Sequence, residues 1–415
     1  MSKPFITAMN DISDTLKKVY NAKHAVVIPG SGTYGMEAVA RQFATGKKTA
    51  VLRNGYFSYR WTQIFEACGI PTDHTVLRAE PINPGAPTNE LQYAPHDVDK
   101  VVDHILKEKP AVLFAPHVET STGMILPDAY IKKVSDAVHK VGGLMVLDCI
   151  ASGTVWIDMQ KCGVDALISA PQKGWTGPSC AGLVMLSDRG ADVARASRGS
   201  SFVCDLRKWL ELMDTYEQGG FMYHATMPTD ALVTFRDVMM ETKDFGFQKA
   251  TDHAWAVCCS SCHPVPVSCI LWFNRLSHAA PPRGSLSPPL SPPRPHLTPP
   301  RVPCCSPLRS QLGGIVRKMM CEEKGLVSVS ADGFQAPGVV VVHTSDSSVA
   351  GKFVQAGTQI AAGVPFMIGE PSDTKTFRIG LFGYAPQRSH LPSSPPAAPL
   401  RPVRRAARSR AAAPS

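Results

Sequence analysis

Two side chains at the ends of successive apolar runs have the chemistry to act on a bound carbonyl or amine. Asp148 closes the run LMVLD, and Lys173 follows the run ALISA in the turn-rich stretch PQKGWTGP. A buried carboxylate requires a cation or hydrogen-bond donors. A lysine removed from water has a lowered pKa and becomes a nucleophile that can form a Schiff base. Two simpler interpretations stay open: a helix cap or loop carboxylate for Asp148, and a surface loop position for Lys173.

A glycine-rich turn near the N-terminus supplies a third element. The stretch GSGTYG at residues 30–35 satisfies GxGxxG between a predicted strand and a predicted helix. A dinucleotide site would also need an acidic residue roughly 20 positions further on, and residues 38–65 contain neither Asp nor Glu. The N–H groups of Ser31, Gly32 and Thr33 at a helix N-terminus instead predict an anion site. A tight turn that binds no ligand is the alternative.

Together these three elements match what pyridoxal phosphate requires of a protein. The lysine would hold the aldehyde, the carboxylate would keep the pyridine nitrogen protonated, and the glycine-rich turn would hold the phosphate. We therefore predict a pyridoxal 5'-phosphate site built from Lys173, Asp148 and the turn at 30–35.

The elements that must position these residues alternate between strand and helix from residue 24 to 188. The strands are continuous Val, Ile, Leu and Ala runs such as HAVVIPG, AVLFAPH and AGLVMLS, with amphipathic stretches such as FSYRWTQIFEA and DAYIKKVSDAVHKVG between them. Continuous apolar runs indicate strands that are buried on both faces. We predict an α/β fold with a mostly parallel central sheet flanked by helices, followed by a smaller α+β C-terminal domain.

Composition divides the chain into four predicted segments. Residues 256–313 hold thirteen of the 36 prolines and five arginines without any Asp, Glu or Lys, and residues 384–415 add six arginines without an acid. Such segments cannot form helices or sheet ladders and are predicted to be disordered. The predicted organisation is a large cofactor-binding domain at 1–255, an insert at 256–313, a small domain at 314–383 and a tail at 384–415.

The charge distribution argues against nucleic acid as a partner. The chain has a net charge of +9, of which the two proline-rich segments carry eleven positive charges, so the remainder is slightly acidic at −2. Aromatic residues do not alternate with the basic ones, as nucleic-acid binding would favour. No stretch approaches the roughly 20 apolar residues of a membrane span. Unpaired cysteines and an N-terminus without a signal peptide predict a cytoplasmic protein, with the peroxisome or mitochondrion as alternatives.

A series of motifs, in order, resembles the class V (fold type I) aminotransferases, and within them the alanine–glyoxylate and serine–pyruvate group. The motifs are PGSGTYGMEA, RNGYFSYRW, PHVETSTG, LDCIASG, SAPQKGWTGP, YHATMPTDAL and FRIGLFG. The resemblance covers about residues 3–255 and 314–383. It implies transfer of an amino group from a small amino acid such as alanine or serine to a 2-oxo acid such as glyoxylate or pyruvate.

The resemblance also implies roles for individual residues around the cofactor. Lys173 would form the Schiff base, Asp148 would pair with the pyridine nitrogen, Phe57 would stack on the ring, and Thr120 would hydrogen-bond the ring hydroxyl. The residues implied to hold the phosphate are Ser31, Gly32, Thr33 and Gln172.

The resemblance implies roles for three further residues. Tyr223 and Thr226 are similar to residues that reach the phosphate of the neighbouring subunit, which implies a homodimer with shared sites. Arg378 is similar to the arginine that binds the substrate carboxylate, and a planar guanidinium suits that bidentate contact.

Several alternatives stay open. A 2-aminoethylphosphonate–pyruvate aminotransferase would share every cofactor residue. A cysteine desulfurase would need a mobile nucleophilic cysteine, which Cys321 does not resemble. Compared with the family, the chain lacks an N-terminal segment of some twenty residues and the final helix, so a catalytically defective variant from a faulty gene model is a further alternative. The stretch CCSSCH at 258–263 has metal-like spacing, but proline-rich surroundings argue against a zinc site, and no metal is predicted.

Overall fold

The computed structural model describes residues 2–255 and 312–381. These residues belong to one compact unit. The predicted tail at 384–415 and nearly all of the predicted insert at 256–313 lie outside the described residues, so the four-segment organisation stays a prediction. Within the described ranges, no helix combines the length and apolar character that a membrane crossing requires.

The described residues form twelve α-helices and fourteen strands. The strands are β1 His24–Pro29, β2 Lys48–Arg53, β3 Asp73–Arg78, β4 Glu80–Pro81, β5 Tyr93–Ala94, β6 Val112–Pro116, β7 Val118–Glu119, β8 Met124–Ile125, β9 Leu144–Asp148, β10 Ala166–Ser169, β11 Ala181–Leu186, β12 Val339–His343, β13 Ala361–Ala362 and β14 Thr376–Gly380. The helices are α1 Lys3–Tyr20, α2 Gly32–Phe43, α3 Tyr56–Cys68, α4 Val98–Glu108, α5 Asp128–Lys140, α6 Met159–Cys162, α7 Asp188–Ala196, α8 Leu206–Glu217, α9 Thr229–Phe245, α10 Phe247–Trp255, α11 Leu312–Lys318 and α12 Val349–Gln355.

Seven of these strands form the central sheet, in the order β1-β11-β10-β9-β6-β2-β3. The pairs from β10 through β9, β6 and β2 to β3 are parallel. Strand β11 is antiparallel to both of its neighbours, β1 and β10. Strand β1 therefore runs in the same direction as the parallel block, and six of the seven strands end at one edge. The predicted fold class, α/β with a mostly parallel sheet between helices, is confirmed.

The central strands are buried because the sheet lies between layers of helices. Every residue of β6, β9, β10 and β11 is buried, as expected for strands covered by helices on both faces. The largest hydrophobic cluster combines these strands with the inward faces of α1, α2, α3, α5 and α8. Since buried backbone groups must be paired, the sheet is rigid, and its strand ends are fixed points from which side chains can be placed.

A second sheet has the order β12-β14-β13, with all pairs antiparallel. Its central strand carries Arg378, opposite Val341 on one side and Ala361 on the other. In the predicted small domain, residues 325–344 contain one strand, Val339–His343, and the segment before it makes isolated bridges such as Ser328 with Val342. The segment after β14 is described only to Leu381.

A close approach between two glycines fixes where α2 begins. A Cβ at Gly182 on β11 would lie 2.7 Å from the Ser31 carbonyl oxygen and 2.8 Å from the Gly35 nitrogen. A Cβ at Gly35 would lie 3.1 Å from a methyl carbon of Ile168. The first turn of α2 therefore rests directly on β10 and β11, with no room for side chains between them.

We predict that Gly182→Ala destabilises the protein by about 1–3 kcal/mol, because the added methyl must displace backbone atoms. The matched control is Gly351→Ala in α12, where an added Cβ meets no atom within 4 Å and alanine has the higher helix propensity. Urea unfolding monitored by circular dichroism measures both variants. Equal midpoints for the two variants would contradict the close approach.

Candidate active site

The candidate site lies at the edge where the six co-directional strands end. The first turn of α2 follows β1, α3 follows β2, Glu119 follows β6, Asp148 ends β9, and Lys173 lies four residues beyond β10. Open α/β sheets bind ligands at this edge, outside the carboxyl ends of their strands. The sheet topology thus brings together residues that are more than 100 positions apart in the chain.

The turn before α2 forms a cradle of backbone donors. Gly30 has φ +128, a conformation that favours glycine. The Ser31 carbonyl accepts hydrogen bonds from the N–H groups of Tyr34 and Gly35, and the Ser31 side chain makes no capping bond. Among the described residues, the N–H groups of Gly32 and Thr33 have no partner. Unpaired N–H groups at the positive end of a helix form an anion-binding site.

Asp148 is held in place by backbone contacts and is 7% exposed. Its carboxylate accepts a hydrogen bond of 2.9 Å from the Ile150 N–H. The pKa of Asp148 is raised to about 7, mainly by burial and also by the nearby Glu119, against the lowering effects of the Ile150 hydrogen bond and of the charges of Arg60 and Lys173. A carboxyl group in this state is readily converted to the carboxylate when a cation is placed against it.

Lys173 is half-buried in a tightly constrained turn. The Gly177 N–H donates to the Pro171 carbonyl at 2.8 Å, and the Thr176 N–H to the Lys173 carbonyl at 3.0 Å. Burial lowers the pKa of the Lys173 ammonium; the positive charge of Arg378 lowers it further, and Asp148 partly offsets both. Lys173 is thus biased towards the neutral amine, the form that acts as a nucleophile or base.

Arg378 reaches the same region from β14. Its Nε donates to the Ala362 carbonyl at 3.0 Å, and no other hydrogen bond from this guanidinium is found among the described residues. Burial lowers its pKa, and Glu119 opposes that effect. Because its charge acts on Lys173, the guanidinium lies within electrostatic range of the amine.

The remaining predicted residues fall into two groups. Phe57, in the first turn of α3, and Thr120, in the turn between β7 and β8, are half-buried beside the site residues. Gln172 precedes Lys173, and its Oε1 is buried without a partner among the described residues. Tyr223 and Thr226 are exposed between α8 and α9, Tyr223 by 73%. No hydrogen bond between described residues joins these two to the site.

Glu119 was not predicted as a site residue, yet it organises this edge. The carboxylate is fully buried and accepts hydrogen bonds from the N–H and hydroxyl groups of Ser58 and Ser121 and from the Phe57 N–H, at 2.8–3.2 Å. It therefore anchors the N-terminus of α3, where a negative charge is favoured by the helix dipole. The sequence signal that could have identified Glu119 was its position directly before the predicted site residue Thr120 in VETSTG.

Arg60, in the second turn of α3, was also not predicted. Its Nη1 donates to Thr33 Oγ1 at 3.0 Å, and its Cζ lies 5.7 Å from the centre of the Phe57 ring. The site therefore has three basic side chains, Arg60, Lys173 and Arg378, and two acids.

In the described ranges, no cluster of three or more His, Cys, Asp or Glu side chains is arranged to hold a metal ion. The stretch CCSSCH lies outside those ranges.

The mostly parallel central sheet between helices is the fold of solved fold type I aminotransferases. Residues 1–257 match the profile of the aminotransferase class-V family. The chain therefore belongs to that family, as its motifs predicted.

Individual relatives are similar to parts of the chain. The serine–glyoxylate aminotransferase of Hyphomicrobium methylovorum is 29% identical over 216 residues, which is 51% of this chain and 50% of the relative. Alanine–glyoxylate aminotransferase 1 of Saccharomyces cerevisiae is 24% identical over 267 residues, which is 60% of this chain and 66% of the relative. The chain thus spans about half to two thirds of the length of these curated relatives.

A solved structure supports the fold over a longer stretch. The ureidoglycine–glyoxylate aminotransferase of Bacillus subtilis matches with a TM-score of 0.65 at 20% identity, covering 92% of this chain and 80% of the other. At this identity the likeness establishes the shared fold.

Family membership implies pyridoxal 5'-phosphate, and the residues present fit it. The unpaired N–H groups of Gly32 and Thr33 suit a phosphate. The Gln172 amide could contribute only through its Nε2, because its buried Oε1 is an acceptor. The amine of Lys173 and the buried carboxyl of Asp148 suit the aldehyde and the ring nitrogen.

The raised pKa of Asp148 predicts a pH dependence of stability in the cofactor-free protein. The folded state keeps the proton between about pH 4, the ordinary aspartate value, and about pH 7, so folding stability falls as pH rises through that window, by at most about 1.4 kcal/mol per pH unit. Outside this pH range, Asp148 contributes no pH dependence to the folding stability. Asp148→Asn removes the dependence. Glu119, Arg60 and Lys173 are the charged groups that act on this carboxyl.

Guanidinium unfolding from pH 4 to pH 8 provides the measurement. The wild-type protein is expected to lose more stability across this range than Asp148→Asn, by up to a few kcal/mol in total. Asp14→Asn, at a side chain that is 75% exposed, is the control and should follow the wild type. Parallel curves for wild type and Asp148→Asn would show that the carboxyl is not perturbed.

Proposed function

We propose that the protein is a pyridoxal 5'-phosphate-dependent transaminase that moves the amino group of a small amino acid, alanine or serine, to a 2-oxo acid such as glyoxylate or pyruvate. The observation that carries this proposal is the convergence of Lys173, Asp148 and the unpaired N-terminus of α2 at one sheet edge. These three elements come from different strands and together match the three chemically distinct parts of the cofactor.

The cofactor would be held from several sides. The phosphate would be bound by Ser31, Gly32, Thr33 and Gln172. Phe57 would cover the ring, and Thr120 would donate to the ring hydroxyl. When bound, pyridoxal phosphate supplies an aldehyde that takes up the amino group and a ring that accepts the electron pair from the substrate Cα.

Lys173 and Asp148 divide the proton chemistry between them. With its pKa lowered by burial and by Arg378, the Lys173 Nζ is available as a neutral base that would take a proton from the substrate Cα and deliver it to the aldehyde-derived carbon of the cofactor. Asp148 would hold a proton at the ring nitrogen. Because Asp148 is buried, water would be excluded from that hydrogen bond and the charge interaction would be stronger.

Arg378 would bind the substrate carboxylate. The Nε bond to the Ala362 carbonyl fixes the plane of the guanidinium, and the terminal nitrogens can then donate to both oxygens of a carboxylate in bidentate geometry. The positive charge also favours neutral Lys173, so the same residue that recognises the substrate helps to prepare the base.

The choice of glyoxylate as acceptor rests on the relatives. Glyoxylate is part of the names of all three proteins compared above, which differ in their donors. Assay of alanine, serine and 2-aminoethylphosphonate as donors, with glyoxylate, pyruvate and phosphonoacetaldehyde as acceptors, tests the proposal. Activity with a phosphonate substrate alone would identify a 2-aminoethylphosphonate–pyruvate aminotransferase, and protein that neither binds the cofactor nor shows turnover would identify a defective variant.

The cytoplasm is the proposed location. The described cysteines, Cys68, Cys149, Cys162, Cys180, Cys204 and Cys321, are all free thiols. Unpaired thiols are typical of a reducing compartment.

We further propose a homodimer in which Tyr223 and Thr226 complete the site of the neighbouring subunit. Tyr223 is an aromatic residue that is 73% exposed, and Phe202 and Phe221 are exposed by 75% and 56%. Exposed aromatic side chains of this kind are enriched at protein interfaces.

Lys173→Arg is expected to reduce transamination by at least about a thousandfold, because the guanidinium keeps the charge but acts neither as a nucleophile nor as a base. Lys161→Arg, at a side chain that is 74% exposed, should retain wild-type activity. Initial rates are measured by coupled detection of the 2-oxo acid product. Borohydride treatment should fix the cofactor to the peptide containing Lys173. Retained turnover in Lys173→Arg would refute the assignment of the base.

Mixing two impaired variants tests the shared site. If Tyr223 acts across the interface, a heterodimer of Lys173→Ala and Tyr223→Ala subunits contains one intact site. An equal mixture after subunit exchange should then recover about a quarter of wild-type activity, because half of the dimers are mixed and each has one working site. Without exchange the activity should stay at the level of the single variants. No recovery despite exchange would place Tyr223 in its own subunit's site or outside the site.

A further inference from the structure

Arg60 is a cation placed at the anion cradle without an acidic partner. Its Nη1 donates to Thr33 Oγ1 at 3.0 Å, and its Cζ lies 5.7 Å from the centre of the Phe57 ring. Among the described residues, no carboxylate pairs with it within 4.0 Å. A half-buried guanidinium that bonds to one neutral hydroxyl has donors to spare, since it carries five N–H groups.

The rest of the cradle carries no charged side chain. The donors shown at the start of α2 are the backbone N–H groups of Gly32 and Thr33. Arg41, also on α2, is bound by Glu37 at 2.7 Å and by Ser200, and Lys173 would be committed to the aldehyde. A phosphate carries close to two negative charges near neutral pH. Arg60 is therefore the cationic side chain left to balance that charge.

Arg60 also acts electrostatically on Asp148 and Lys173, the two groups proposed to hold and transfer protons. Its charge acts to lower the pKa of Asp148 and that of Lys173. Both effects favour the states required of these groups: an ionised carboxylate and a neutral amine.

We infer that Arg60 is the phosphate-recognising cation of the cofactor site, which donates to the phosphate dianion while holding Thr33 and Phe57 in position. The inference rests on the proposed function. Arginine suits this task because its planar donor array matches two phosphate oxygens at once. The phosphate then lies between a helix N-terminus and a guanidinium, so that charge and hydrogen bonds act from two sides.

The first experiment compares two ligands that differ only in the phosphate. Cofactor-free protein is titrated with pyridoxal 5'-phosphate and with pyridoxal, and binding is followed by the quenching of tryptophan fluorescence. In Arg60→Gln, affinity for pyridoxal 5'-phosphate should fall by about ten- to a hundredfold, the size of a lost charge-assisted hydrogen bond, whereas affinity for pyridoxal should change less than threefold or so. Arg60→Lys should lie between wild type and Arg60→Gln.

The control is Arg195→Gln on α7, where the arginine pairs with Asp214 at 3.0 Å on the surface. This variant should bind both ligands as the wild type does. Equal losses for the two ligands in Arg60→Gln would show a merely structural role, and unchanged affinity for pyridoxal 5'-phosphate would exclude any role; either result overturns the inference.

A second experiment uses the unmodified chain and does not depend on the folding of a variant. Cofactor-free protein is treated with phenylglyoxal, which reacts with arginine, in the presence and absence of inorganic phosphate, and the labelled peptides are quantified by mass spectrometry. Phosphate should slow labelling of Arg60 at least severalfold and leave Arg195 unaffected. Equal labelling of Arg60 with and without phosphate overturns the inference.

The two experiments separate this inference from the proposed function. If the wild-type protein does not bind pyridoxal 5'-phosphate while inorganic phosphate still protects Arg60, the anion cradle stands and the cofactor assignment fails. If the cofactor binds and Arg60 is neither protected nor selective for the phosphate, the proposed function stands and the role of Arg60 fails.

Discussion

The shared direction of six strands is the constraint on which the site depends. Parallel strands present their carboxyl ends at one edge, so the turn after β1, the helix after β2, Glu119 after β6, Asp148 on β9 and Lys173 after β10 all meet there. Reversal of β11 between β1 and β10 preserves this arrangement, because two antiparallel steps return β1 to the common direction. Were β1 reversed as well, the cradle would lie at the opposite edge of the sheet, far from the lysine.

Charge balance at this edge explains how the two central groups are tuned. Five hydrogen bonds satisfy the Glu119 carboxylate, so its charge is largely stabilised by the donors of α3 and the neighbouring turn. Asp148 receives a single backbone hydrogen bond, and burial dominates its pKa. The two acids lie at the carboxyl ends of the neighbouring strands β6 and β9 and yet have different environments: Glu119 is bound by the donors around it, and Asp148 is left available for a positively charged ring.

The sequence was most informative where chemistry coincides with the end of an apolar run. Asp148 and Lys173 follow uninterrupted strands, so their types and positions could be interpreted without knowledge of the partners. Arg60 and Glu119 were not predicted. Arg60 lies in an amphipathic helix, where a cation is ordinarily solvent-facing, and Glu119 ends a two-residue strand and accepts hydrogen bonds from Phe57 and Ser58, which are 62 and 61 positions away in the sequence. Helix α1 was likewise not predicted, although Phe5, Met9, Ile12 and Leu16 line its buried face. The role proposed for Tyr223 in a neighbouring subunit would leave no signal in the spacing within one chain.

The GxGxxG pattern at residues 30–35 is explained by the packing of α2 and does not require a dinucleotide ligand. Gly30 permits a positive φ at the turn, Gly32 begins the helix against Ile150, and Gly35 allows α2 to lie against β10 and β11. Each glycine is therefore required by the geometry of a helix that starts directly at a strand end and rests on the sheet. That geometry creates an anion site whatever the rest of the ligand is. The identity of the ligand is decided by the groups around the turn, and here those are an arginine, a buried acid and a lysine rather than an acid placed for a ribose.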